Sequence, residues 1–123
     1  MSKISNYMGF IRERGRPLSE INPGSDELAL SVDDALEAVE LLRDTQTIIF
    51  GGDILSNESD ILIYAYQQWG SEYHYLNWSC EKMDNENQPE YCNRSYDVAR
   101  ESIIKAKEVA DRLGKIGFIV LVI

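Results

Sequence analysis

The residues of this 123-residue chain best suited to chemistry are one histidine, two cysteines and a glycine-glycine-acid step. His74 is the single histidine, so any Ser-His-Asp or Cys-His constellation must run through it. It sits in Tyr73-His74-Tyr75, a run of β-forming residues in which a structural or surface histidine is commoner than a base. Gly51-Gly52 lacks both the spacing of a phosphate-cradling loop and the helix that should follow one. Asp53, Asn57, Glu58 and Asp60 could crowd oxygen ligands around a hard cation. They do not follow the calcium-loop spacing, however, and a solvated turn accounts for them better. Cys80 and Cys92 are too few for a zinc site or a disulfide framework, and the expectation is two free thiols. The chain is therefore expected to be no enzyme, with no catalytic residues, cofactor or metal. A small hydrolase or transferase remains as a minor reading, and it would need His74 and Asp53 in one pocket.

Two segments must position whatever this chain presents. Thr47-Ile48-Ile49-Phe50 leads into Gly51-Gly52-Asp53, which predicts a buried strand ending in a kink that presents the Asp53 carboxylate. Tyr64, Tyr66, Trp69, Tyr73, Tyr75 and Trp78 fall close together downstream. Some should fill the core, and others should lie on a partner-facing surface, where tyrosine and tryptophan dominate binding energy.

Around these, Tyr7, Met8 and Ile11 with Ile4 suggest a short N-terminal helix stopped near Gly15, followed by a loop from Arg16 to Ser25. Ser31 should cap a helix whose apolar stripe is Val32, Ala35, Leu36, Val39 and Leu42, with Asp33 and Asp34 at its positive end and Arg43 at its negative end. A second long helix is expected from just after Ser95 to Gly114, with Ala99, Ile103, Ala106, Ala110 and Leu113 on one face. Strands are expected near 47–53, 61–67, 73–80 and 117–122, with a turn at 57–60 and an exposed loop at 84–90. The whole reads as one α+β domain spanning 1–123. Its four-stranded, mainly antiparallel sheet would form a meander covered by two main helices. The final strand lacks alternation and should lie inside the sheet.

Charge is the strongest compositional signal. The net charge is −9, and residues 25–92 carry fifteen acids against Arg43 and Lys82. Such a middle repels phosphate backbones, so direct nucleic-acid binding is disfavoured and a basic partner favoured. No signal peptide or membrane span is read, and the expected location is the cytoplasm.

The segments Glu27 to Leu36, Gly51-Gly52-Asp53 and Trp78-Ser79-Cys80-Glu81, in that order and spacing, resemble immunity protein 40, a family encoded beside bacterial polymorphic toxins. The resemblance covers roughly residues 25 to 115 and includes Ser95, while Ser79 stands where an aromatic is expected. It implies a binding protein that neutralises a cognate toxin, as in contact-dependent inhibition, with a monomer or weak dimer expected. The sign of the charge makes a nuclease with a basic cleft the expected target. The partner-binding residues are expected to be Asp53, Glu58, Asp60, Glu72, Trp78, Glu81, Asp84 and Glu86, converging where meander strands end on one side. The other reading is an acidic adaptor or nucleic-acid mimic that acts on a protein unrelated to any toxin.

Overall fold

The computed structural model describes residues 3–18 and 21–123; of residues 3–5 it describes the backbone alone, so the side chain of Ile4 and positions 19 and 20 of the expected first loop lie outside the described residues. Among the described residues the chain forms an α+β fold with six strands rather than the four expected, and all their pairings are antiparallel. Helix α1 (Lys3–Arg14) leads to β1 (Arg16–Pro17) and β2 (Leu28–Ser31). Helix α2 (Val32–Asp44), β3 (Gly51–Glu58) and β4 (Ile61–Tyr64) follow. A one-turn helix α3 (Ala65–Gln68) and a 3-10 segment (Ser71–Leu76) then lead to β5 (Trp78–Ser79). Helix α4 (Gln88–Leu113) and β6 (Gly117–Val122) close the chain.

The sheet order is β1-β2-β6-β3-β4, with β5 also paired to β3. The last strand thus lies inside the sheet, as its continuous apolar run requires. The expected meander does not form. On one flank β3 pairs with β6 along residues 51–56; on the other it meets β4 at residues 55–58 and β5 at Gly51 and Gly52. Between β4 and β5 the chain leaves the sheet, although the expected strands run through residues 65–67 and 73–77. Ala65 and Leu76 are buried there while Glu72, His74 and Tyr75 are exposed, so burial, not intrinsic preference, decides the conformation. Gly70, at φ 128°, sets the break between the two helical pieces. Departure of the strand leaves the Ile54 amide without a ladder partner, and it donates to Asn77 Oδ1 at 2.8 Å.

Alternation along the strands sorts two apolar clusters onto the two sheet faces. Leu30, Ile54 and Ile119 join Tyr7 of α1, Ala35, Ala38, Val39 and Leu42 of α2, and Tyr96, Ala99 and Ile103 of α4 in the main core. Ala29, Leu55, Leu62 and Val120 point the other way and form a second buried cluster with Leu18, with Ile21, Tyr64 and Phe118 packed alongside. Among the described residues the helices therefore cover one face, and the opposite, helix-free face is closed over this smaller cluster.

Local chemistry explains the element ends. Ser31 Oγ accepts from the Asp34 amide at 3.2 Å, as expected for its cap. Helix α4 starts eight residues earlier than expected, because Asn87 and Glu90 form a capping box with Pro89 in the first turn. It ends at Gly114 in the left-handed region, as expected. The β3–β4 hairpin turns through Ser59 at φ 51° and Asp60 at φ 66°, a pair of left-handed residues that suits a two-residue hairpin. Arg16 holds this turn by donating to the Asp60 carbonyl at 2.6 Å and to Asn57 Oδ1 at 2.8 Å.

Candidate functional site

The glycine-glycine-acid step lies at the start of β3, not at a strand's end. Neither glycine has a positive φ, so the expected kink is absent. What demands glycine is β5 crossing close by. A Cβ on Gly51 would strike the Trp78 carbonyl and lie 3.2 Å from Ser79 Cα. A Cβ on Gly52 would enter the indole of Trp78, which lies flat over it. Trp78, expected at a partner surface, is half-buried and packs against the main core. Its Nε1 is buried without a hydrogen-bond partner.

The same corner is tied to the start of α4. The Cys80 amide donates to the Phe50 carbonyl at 2.7 Å, and the Cys80 carbonyl accepts from Tyr91 Oη at 2.7 Å. Ser95 Oγ accepts from the Ile49 amide at 3.2 Å and donates to the Cys92 carbonyl at 2.7 Å. Both cysteines are buried free thiols, and Cys92 Sγ lies 2.9 Å from Tyr96 Oη.

The expected acids occupy separate places. Asp53 is half-buried on the helix-free sheet face, opposite the buried Val120 of β6. Burial raises its carboxyl above the usual value, and the positive field of His74 pulls it back only in part. Glu58, at the far end of β3, takes hydrogen bonds from Lys115 and from Ser56 Oγ, both at 3.0 Å, which lower its pKa. Ser56 in turn accepts from Trp69 Nε1 at 2.9 Å, so this acid ends a buried polar chain. The Asp60 side chain is exposed at the hairpin tip. Glu72 is exposed, its carboxylate lying over Gly70.

Glu81 and Asp84 are exposed beyond β5. Glu86 is held by Arg94, whose Nε and Nη2 donate to its two oxygens at 2.6 and 2.8 Å. That bond, helped by the Met83 amide, lowers the Glu86 carboxyl to about 2. Arg94 also donates to the Glu81 carbonyl at 2.6 Å, so the pair fixes the loop ahead of α4.

The expected convergence of these acids is not what the register gives. Ser79 pairs with Gly51 and Ile61 with Glu58, at opposite ends of β3. Seven residue steps at about 3.3 Å separate the ends by roughly 23 Å. Glu81, Asp84 and Glu86 therefore follow one end, and Glu58 and Asp60 occupy the other. Asp53 lies between them on the helix-free face.

His74 reaches that face from the 3-10 segment and meets Tyr66 edge-on at 4.7 Å between ring centroids. The cleft of about 250 Å³ beside Gln46, Ile48, Pro89 and Cys92 includes neither His74 nor Asp53. Among the described residues no group of three His, Cys, Asp or Glu side chains could hold a metal ion, and no helix is long and apolar enough to cross a membrane.

The chain is thus a small α+β domain with helices on one sheet face and exposed acids beyond both ends of β3. The family model for immunity protein 40 matches residues 17–123, and the chain belongs to that family. Immunity proteins are non-enzymatic inhibitors, and membership implies binding to, and neutralisation of, a cognate toxin. Comparisons with curated proteins and with solved structures found no match.

Proposed function

We propose that the protein neutralises its toxin in the cytoplasm by stoichiometric binding, and that its acidic middle faces a basic cleft of the toxin, of the kind a nuclease uses to hold phosphates. The observation that carries this reading is the charge distribution: residues 25–92 carry fifteen acids and two bases. Most of those acids are exposed, so they act on an approaching partner rather than on the fold. The contact residues in this reading are Asp53 on the helix-free face, Glu72 on the 3-10 segment, Glu58 and Asp60 at one end, and Glu81, Asp84 and Glu86 at the other. Trp78 contributes by holding the corner. Two separated acidic groups suit a concave partner that spans the sheet, with a monomer or weak dimer of the immunity protein as the binding unit.

The test is stopped-flow association with the toxin domain encoded beside this chain, at low and high salt. An Asp60→Asn, Glu81→Gln, Asp84→Asn variant should associate several-fold more slowly than wild type and with a shallower salt dependence. Equal rates with the same salt slope would remove the acidic surface from the mechanism. A toxin domain that binds no form of the protein would favour an adaptor or nucleic-acid mimic acting elsewhere.

A further inference from the structure

Among the acids whose side chains are described, four are half-buried: Asp34, Asp53, Glu58 and Glu86. Three of them meet a cation of the chain. Asp34 lies 3.4 Å from Arg14, Glu58 3.0 Å from Lys115 and Glu86 2.6 Å from Arg94. Asp53 alone among the four has no ion pair and no side-chain hydrogen bond among the described residues, and desolvation is the largest influence on its carboxyl. A partly desolvated, unpaired carboxylate disfavours the folded state unless something else compensates it.

The surroundings of Asp53 point to what that is. On one flank it faces the backbone of Val120. On the other, β4 has ended at Tyr64 and β5 begins only at Trp78, so no strand pairs beside it, and this break in the ladder is a notch that Asn77 enters from the β5 side to accept from the Ile54 amide. Leu55 pairs with Tyr64, which puts Tyr64 on the same face as Asp53, one pleat along. Tyr64 stacks on Tyr66 with centroids 5.9 Å apart, and Tyr66 meets His74. Burial raises the Tyr64 phenol's pKa, and the nearby Asp53 carboxylate adds to the rise. Arg16, a cation on this side of the sheet, is committed to Asn57, the Asp60 carbonyl and the Phe118 ring. His74 offsets the Asp53 charge only in part, so the notch combines a carboxylate without an ion pair with aromatic faces, two groups that attract a cation.

Building on the toxin-binding reading above, we propose that the notch between β4 and β5 receives an arginine side chain of the toxin, which pairs with Asp53 and stacks on Tyr64 and Tyr66. Arginine fits better than lysine because its planar guanidinium can lie on a tyrosine ring while its edge donates two hydrogen bonds to one carboxylate. An apolar or acidic side chain in the notch would leave Asp53 buried and unpaired. The pair forms away from both acidic ends of the sheet, so it fixes orientation and slows release, while the rim acids set the rate of encounter.

The test is calorimetric titration at pH 7.5 of a catalytically inactive toxin domain, from the gene beside this one, into wild type, Asp53→Asn, Tyr66→Leu and a Glu101→Gln control on the exposed face of α4. Asp53→Asn should weaken binding about 10- to 100-fold, chiefly through faster dissociation, with the melting temperature unchanged or raised. Tyr66→Leu should weaken it less, and Glu101→Gln should bind within twofold of wild type. Carboxyl ¹³C NMR of wild type gives an arm independent of any variant's folding: the Asp53 titration midpoint should fall when the toxin domain is bound. Binding of Asp53→Asn within twofold of wild type, or an unmoved midpoint, overturns the arginine notch and leaves toxin binding intact. Failure of wild type and Glu101→Gln alike to bind overturns the toxin reading, and the notch with it.

Discussion

Replacing Gly52 by alanine tests whether the family's glycine pair answers to a side chain or to the backbone. The added Cβ would overlap the six-membered ring of Trp78, closest to Cη2 and lying 2.5 Å from Cζ3 and 2.7 Å from Cζ2, so the indole must move by about 1–2 Å to restore contact at about 3.5–4.0 Å. Forcing an extra carbon into a packed region costs about 1–3 kcal/mol. The ceiling is expulsion of the ring: a tryptophan buries at most about 150–250 Å², which at about 25 cal/mol per Å² is roughly 4–6 kcal/mol. Trp78 is only half-buried, so the ceiling here is lower, and we expect Gly52→Ala to cost about 2 kcal/mol. In a Trp78→Leu background the clashing ring is gone, and the same substitution should cost less than about 0.5 kcal/mol, because alanine is otherwise preferred to glycine within a strand. Urea unfolding of the four proteins gives the coupling energy, expected near 2 kcal/mol. Gly51→Ala is the internal control. Its Cβ meets the Trp78 carbonyl and Ser79 Cα, which are backbone, so trimming the indole should not rescue it. Equal destabilisation by Gly52→Ala in both backgrounds would refute the ring-contact account.

Ser95→Ala removes the acceptor of the buried Ile49 amide and should cost about 1–3 kcal/mol, read as a lower urea midpoint with an unchanged slope. Glu86 has a depressed pKa, so its contribution to stability is fully present above about 4.5 and is lost as pH falls towards about 2; Glu86→Gln should flatten that acid limb and speed amide exchange in residues 81–87. Asp53 has the opposite sign: the folded state holds its proton more tightly, so its contribution falls as pH rises through the raised pKa, and Asp53→Asn should be at least as stable as wild type at pH 7. His74→Ala should leave protection of toxin-producing cells intact, since His74 lies exposed against Tyr66 outside the fold's core; a folded variant that no longer protects would contradict this.

Legibility in the sequence followed how local each cause was. Ser31 and Gly114 were readable because a cap and a left-handed stop act within a few residues. The start of α4 was equally local but missed: Asn87, Pro89 and Glu90 spell a capping box inside a stretch whose polarity suggested loop. The acidic bias was legible because it is composition. The 65–77 segment was not, because Tyr66, Tyr73 and Tyr75 favour strand as residues, while the space beside β3 is shared out between β4 and β5 by contacts distant in sequence. The insertion of β6 between β2 and β3 is likewise a long-range pairing with no short-range signature, apart from the absence of alternation that placed it inside the sheet.

The positions that carry the family resemblance divide by what they touch. Gly51 and Gly52 make room for β5, Trp78 covers Gly52, Cys80 bonds Phe50 and Tyr91, and Ser95 holds Ile49: each joins the β3–β5 corner together or joins it to α4. Substituting any of these changes the fold before it changes a partner. Glu81 enters that lattice through its carbonyl, which Arg94 holds, while its side chain faces solvent. Asp53 differs from all of them, since its backbone belongs to the ladder while its carboxylate makes no hydrogen bond or ion pair among the described residues and feels only the nearby charge of His74. A shared corner whose glycines bring β5 close and end the sheet beside Asp53 is a means of holding one acid half-desolvated in a fixed place. Rigid placement of that kind favours a specific cation over a diffuse basic field. On this argument, a family could keep the corner to preserve the fold and the notch, while the exposed acids at the two ends of β3 vary with the toxin that each member must meet.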